Sequence, residues 1–378
     1  MNGKDIIRLS KSSLSIHEQL EVIKTLDSEF LGYGSICKEF EDDLSRFLGT
    51  NAISVNSGTT SLILSLQVSG IKTNDVVITP SLTYLATVQA ITCLGAIPYF
   101  CDVDSSGHLS IDDIPDNIIK KSKAIIFMHY AGVEIKMNKL IAWAKNNNLR
   151  VIEDAAHSFG SKQHALKLGY RDFDFVCYSF DGIKNITTAE GGCICAKNVS
   201  DQNRLKDIRL LGVIGDTKKR QSNKRTWEPN VIEQGWRAHM SNVNAAIGIA
   251  QLNRSDELWA KRKWIANYYF KNLKKYDNFL KIIIPNEEGI VPHIYPIVIF
   301  DENKLKKVFN SFKRNLIQYG RHYYPCHKLD FFKEFPRSSL KNTNYLYDHL
   351  ISLPIHPDLT KNQQDFILKV LIENILDK

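Results

Sequence analysis

The sequence predicts an α/β fold built on a largely parallel sheet, and three observations carry that prediction. Short apolar runs alternate with helix-patterned stretches through the first two thirds of the chain, as in successive βα units. Runs such as KAIIFM and RVIED stay apolar until they meet a charge, as strands buried on both faces do. The length, 378 residues, suits two domains at roughly 100–200 residues each. A large domain with the N-terminal segment is placed at 1–252 and a smaller C-terminal α+β domain at 253–378.

Seven strands are expected in the large domain: Ala52–Val55, Val76–Ile78, Pro98–Cys101, Ala124–Met128, Arg150–Ile152, Phe175–Phe180 and Gly192–Ala196. Between them, Thr59–Val68 follows a Ser-Gly turn, Thr83–Leu94 has Thr83 as its cap, and Asn138–Asn147 gathers Leu140, Ile141 and Ala144 on one face. Ser241–Leu252 is small and apolar enough for a close-packed helix, and Asp256–Tyr276 carries Leu258, Trp259, Ile265, Tyr269 and Leu273 among lysines. The second domain is expected to hold strand Ile294–Phe300, a helix Glu302–Tyr319 ended by Gly320, and a last helix opened by a Thr360/Gln363 capping box. The polar, basic stretch 216–229 lacks periodicity and reads as a long loop, of the kind that is often functional.

Composition narrows the function classes. Apolar residues at 43% and charged residues at 24% match a globular chain rather than a disordered or fibrous one. The net charge of +8 suits phosphorylated ligands, but no concentrated basic stripe or helix-turn-helix pattern points to nucleic acid. No apolar stretch is long enough to span a bilayer, and the N-terminus lacks a signal-peptide core. Seven cysteines without a CxxC pair read as reduced thiols of a cytoplasmic protein, and no metal site is expected.

Three short segments can carry chemistry. Asn56-Ser57-Gly58-Thr59-Thr60 follows a strand and opens a helix, so free amides and two hydroxyls suit a phosphate; an ordinary capped junction is the alternative. Val151-Ile152-Glu153-Asp154-Ala155-Ala156-His157 ends a buried strand in acids, which need a cation or hydrogen bonds to stay charged; Asp154 as a cap and His157 as a core residue is the alternative. Tyr178-Ser179-Phe180-Asp181-Gly182-Ile183-Lys184 places a lysine after a buried strand with a Gly-Gly turn beyond, a candidate Schiff-base nucleophile or a solvated charge. A phosphate cradle, an acid, a serine and a lysine in this order are what pyridoxal phosphate requires.

With these segments in place, the chain resembles the DegT/DnrJ/EryC1/StrS family of nucleotide-sugar aminotransferases, of the aspartate aminotransferase-like fold (type I of the pyridoxal-phosphate enzymes). The likeness runs through the GYG of Gly32–Gly34, VNSGTTSL, TPSLTYLAT, LGAIPYFCDVD, VIEDAAHSFG, YSFDGIKN, AEGG, MSNVNAAIGIAQL, RHYYPCH and SLPIHPDL. It implies a covalent aldimine between pyridoxal 5'-phosphate and Lys184, Asp154 on the pyridine nitrogen, Tyr84 stacked on the ring and His157 near the ring hydroxyl. Gly58, Thr59, Thr60 and Ser179 are implied at the phosphate. Arg237 stands where the family commonly has an asparagine that reaches the partner's phosphate across a homodimer, and Ala189 where it usually has glycine.

On the substrate side the resemblance implies Tyr33, His322, Tyr323 and Tyr324, and the basic stretch adds Lys219, Arg220 and Arg225 as cations for a diphosphate. The implied reaction moves an amino group from L-glutamate to C-4 of a nucleotide-linked 4-keto-6-deoxyhexose, dTDP-linked for preference, in the cytoplasm, for O-antigen or other surface glycan. C-3 amination is the alternative within the family. A sugar dehydratase of the family lacks the lysine that Lys184 supplies, and a non-enzymatic regulatory protein is the alternative of a different class.

Overall fold

The mostly parallel sheet that the buried strand runs demand is present, in a computed structural model that describes residues 6–133, 137–161, 173–222, 224, 227–287 and 289–377. Two helices precede it. Helix α1 (Ile16–Asp27) opens with a capping box between Ser15 and Glu18, and α2 (Ser35–Leu48) closes at Gly49, whose φ of 69° suits a residue without Cβ. The strands are β1 (Ala52–Val55), β2 (Val76–Pro80), β3 (Ile97–Cys101), β4 (Ser122–Met128), β5 (Arg150–Asp154), β6 (Phe175–Ser179) and β7 (Gly192–Ala196). They lie in the order β1-β7-β6-β5-β4-β2-β3, and only β7 runs against its neighbours. Because β7 is antiparallel to both β1 and β6, those two point the same way. The carboxyl ends of β1, β2, β4, β5 and β6 therefore share one edge of the sheet.

Helices α3 (Gly58–Val68), α4 (Leu85–Thr92), α5 (Asp116–Ile119), α6 (Met137–Asn146) and α7 (Val199–Ile208) flank the sheet. Ser57 caps α3 by accepting from the Thr60 amide at 3.1 Å. Thr83 is not the cap of α4: Tyr84 holds that position, and the Thr83 hydroxyl instead meets that of Thr87 at 3.0 Å. The stretch expected to be a loop from 216 begins as a helix, α8 (Asp216–Gln221). Its first turn is anchored by the Thr217 hydroxyl on the Lys206 carbonyl (2.8 Å) and by an Asp216–Arg220 pair (2.5 Å).

Helix α9 (Asn242–Asn253), capped by Ser241, and α10 (Ser255–Leu273) lead to the C-terminal region. There β8 (Leu280–Ile282), β9 (Tyr295–Ile299) and β10 (Leu350–Leu353) form an antiparallel sheet with α11 (Glu302–Arg314), α12 (Lys341–His349) and α13 (Lys361–Leu376). The capping box of α13 between Thr360 and Gln363 is formed. Helix α11 stops well before Gly320. Leu316 turns with φ 56°, which frees Ile317 and Gln318 to pair with Ile7 (Gln318 amide to Ile7 carbonyl, 2.9 Å). Ile7 thereby joins one apolar core with Met128 at the end of β4, Tyr130 just after it, Ile297 of β9 and Leu371 of α13. This packing sets the C-terminal region against the carboxyl edge of the large sheet.

Candidate active site

A cavity of about 330 Å³ opens at that edge, where ligands bind in open α/β sheets. The turn after β1 closes one end of it. The Gly58 and Thr59 positions and Ser179, the last residue of β6, line that end together. A Cβ on Gly58 would sit 2.7 Å from the Ser179 Cβ, so only glycine lets the two elements meet so closely. The helix start and the two hydroxyls make an anion cradle. Thr60, expected at the phosphate, does not line it: its amide and hydroxyl serve Ser57 and Asn56, with hydroxyl contacts of 2.8 Å to each.

The floor is acidic and cationic at once. Asp154, the last residue of β5, accepts from the Thr87 hydroxyl at 2.7 Å and from the Ala156 amide at 3.2 Å. Burial raises its pKa against those hydrogen bonds and the Lys184 charge, so a contacting cation is what would keep it ionised. A protonated pyridine nitrogen is such a cation. Lys184 follows β6 in a turn closed by its own amide on the Asp181 carbonyl (3.0 Å), and the Asn185 amide pins that turn to the carbonyls of Phe159 and Val291. Burial pushes the Lys184 pKa down to about 8, while Asp154 and Asp181 oppose the fall and Arg262 adds to it. A lysine so tuned holds roughly a tenth of its population as free amine at pH 7, against well under a thousandth at its ordinary value.

The C-terminal region supplies the opposite wall through His293, His322 and Tyr323. The His157 Nδ1 accepts from the Ala131 amide at 3.3 Å, so its Nε2 donates to the Tyr323 hydroxyl 2.7 Å away. His322 is held by Ser352 at 2.8 Å, and burial pushes its pKa down to about 4. Burial also takes His157 and His293 well below the usual histidine range. All three rings are neutral beside the amine. Tyr84, 52% exposed, stands at the mouth with its ring 5.6 Å from that of Tyr323.

The structure thus brings Gly58, Thr59, Tyr84, Asp154, His157, Ser179, Lys184, His322 and Tyr323 into one cavity, and leaves other expected residues outside it. Tyr33 is a correction: it is 1% exposed in the core, where its hydroxyl takes a 2.6 Å hydrogen bond from Arg209, itself paired to Glu41. Tyr324 turns away to pack edge-on against Tyr347. Arg220 is occupied by Asp216, Lys219 is exposed on α8, and Arg225 lies outside the described residues. Arg237 is exposed, its main chain is tied to Leu210, and it does not line this cavity. Thr87 and His293 were not anticipated. The first could have been found one turn after Tyr84, the second as the lone histidine in the apolar run VPHIYPIVIF.

Comparison with known proteins agrees with this geometry. Residues 13–371 match the model of the DegT/DnrJ/EryC1/StrS aminotransferase family. The uncharacterised protein MJ1066 of Methanocaldococcus jannaschii is 32% identical over 366 residues, covering 94% of this chain and 95% of that protein. Helicobacter pylori PseC, an aminotransferase involved in the biosynthesis of pseudoaminic acid, superposes with a TM-score of 0.88 at 24% identity, over 98% of this chain and 99% of its own. Spr1654 of Streptococcus pneumoniae in its PMP form gives a TM-score of 0.87 at 25% identity, over 98% of both chains.

Proposed function

Because the chain belongs to the DegT/DnrJ/EryC1/StrS aminotransferase family, we propose that it transfers an amino group from L-glutamate to a nucleotide-linked 4-keto-6-deoxyhexose, dTDP-linked for preference, with amination at C-4. The chain is a pyridoxal-phosphate-dependent sugar aminotransferase. The observation that carries the chemistry is the meeting of Lys184, Asp154 and the Gly58–Ser179 cradle in one cavity. The cofactor, when bound, supplies the electron sink for breaking the bond to the α-proton. Thr59, Ser179 and the amides at the start of α3 hold its phosphate. Asp154 would keep a bound ring nitrogen protonated, and Tyr84, at the cavity mouth, would be placed to cover the ring. The Lys184 amine would be the base that accepts the donor's α-proton and hands it on, from the face of the cavity on which it stands. His322 and Tyr323, which line the cavity, face the sugar in this proposal.

The protein is proposed to act as a homodimer. The support is an apolar stripe on α1, where Ile16, Leu20 and Ile23 are all exposed, and an exposed Arg237 free to reach a neighbour's phosphate. Among the described residues no helix is long and apolar enough to cross a membrane. A cytoplasmic place in surface-glycan synthesis is part of the proposal. The test has two steps. Borohydride reduction followed by peptide mapping should place the cofactor on Lys184, and label on another lysine would overturn the site. Incubation with glutamate and a panel of keto-sugar nucleotides, with NMR of the product, then reads the carbon aminated; no turnover of any 4-keto sugar would overturn the substrate.

A further inference from the structure

Resting on Lys184 as the reactive amine, we infer that His293 is a positioning residue that accepts a hydrogen bond from the Lys184 ammonium and holds that group in place whenever it carries the proton. The His293 Nε2 lies 3.3 Å from the Lys184 Nζ. The ring is 4% exposed, lines the cavity, and packs on His157 with centroids 4.6 Å apart. Its Nδ1 has no hydrogen-bond partner, so the lysine is the one polar contact described for this side chain. An imidazole buried with half its capacity unused is costly, and a packing role alone would be served as well by an apolar ring.

Arg262 makes the pairing rigid. This buried guanidinium, with no salt bridge to a carboxylate among the described residues, donates to the carbonyls of Ile183 (3.2 Å), Lys184 (3.4 Å), Pro292 (3.4 Å) and His293 (3.3 Å). One cation on α10 therefore clamps the main chain on both sides of the Nζ–Nε2 contact. The other groups around the amine have separate tasks. Asp154 is engaged by Thr87, His157 by Tyr323 and His322 by Ser352, while Asp181 and Arg262 act on it with opposite sign. A neutral acceptor stabilises an ammonium more than an amine, because a charge-assisted hydrogen bond is about twice as strong as a neutral one. His293 then offsets part of the effect of burial on Lys184.

The experiment uses protein loaded with pyridoxamine 5'-phosphate, in which the lysine amine is free. Brief acylation with acetic anhydride across a pH series, quantified on the Lys184 peptide by mass spectrometry, gives the midpoint of its titration. His293→Phe should lower that midpoint by about one pH unit, a tenfold change in the ratio of ammonium to amine. His293→Gln, whose amide oxygen still accepts, should leave it within about 0.3 unit of the parent, by the same acceptor argument. An unchanged or raised midpoint in the phenylalanine variant, or an equal fall in both variants, would overturn the inference. Should the phenylalanine variant not fold, 15N NMR of histidine-labelled parent protein decides. Below the midpoint the His293 resonance, assigned by its loss in the glutamine variant, should show protonated Nδ1 and bare Nε2. The reverse tautomer overturns the inference. Failure of Lys184 as the cofactor lysine would show separately, as borohydride label on a different peptide.

Discussion

Replacing Asp154 by asparagine removes one charge from the cavity floor and little else. The Oδ1 still accepts from the Ala156 amide, and the Thr87 hydroxyl, which already exchanges hydrogen bonds with Thr83, can turn to accept from the new amide. The fold should therefore survive, and the effect should fall on what the charge does. A charge-assisted hydrogen bond contributes roughly 1.5–3 kcal/mol and a neutral one roughly 0.5–1.5, so cofactor affinity should drop by about 1–1.5 kcal/mol, or some 5–13-fold. The rate should suffer more. An opposite charge in contact moves a pKa by roughly 1–3 units, so losing it cuts the ratio of protonated to neutral ring nitrogen by roughly 10–1,000-fold. Cofactor titration of the variant gives the first quantity. The single-turnover spectrum with glutamate gives the second. If both stay within about threefold of the parent, the buried carboxylate is a structural cap on Ala156 and the assignment of the floor is wrong.

Three other outcomes follow from the same geometry. His322 has its pKa pushed from 6.5 to about 4 by burial, so the unfolded chain binds one more proton than the native one between those values. Stability is fully present above pH 6.5 and declines on acidification, and His322→Asn, able to keep the Ser352 contact, should flatten that decline by up to about 1.4 kcal/mol per pH unit; equal urea midpoints for parent and variant at both ends of the window would refute it. Ala189, at φ 66°, sits in the left-handed region, so Ala189→Gly should raise thermal stability by up to about 1 kcal/mol, the strain relieved less the added chain entropy; an unchanged or lower melting point speaks against it. Arg237→Ala should raise the cofactor dissociation constant in sedimenting dimers by roughly 10–150-fold, the worth of a charge-assisted bond, whereas a fully active monomer would remove the cross-subunit role.

The residues legible in the sequence are those whose placement is decided locally. Gly58, Ser179, Asp154 and Lys184 each stand within a few positions of a buried strand's end, and the parallel topology collects strand ends along one edge. Order along the chain was then enough. Tyr33 failed for the opposite reason. Its fate is set by Arg209, 176 residues away, whose guanidinium lies over the tyrosine ring at 4.6 Å and would be left without its hydroxyl partner if the ring turned out toward a ligand. Nothing in Gly32-Tyr33-Gly34 carries that information. Arg220 was a nearer miss, since Asp216 four residues before it marks a helical pair more simply than a phosphate site. His293 lies between these cases. A lone histidine in an apolar strand entrance is usually a satisfied core residue, and the sequence offers it no partner. Only the Arg262 clamp, which ties the strand entrance to the Lys184 turn, converts that histidine from filler into a neighbour of the amine. His322 and Tyr323 reach the same wall and were legible only through a family motif, so what the sequence concealed across the closure of the C-terminal region is the His293–Lys184 contact itself. Residues contributed across such a closure have contacts fixed by packing, not by spacing.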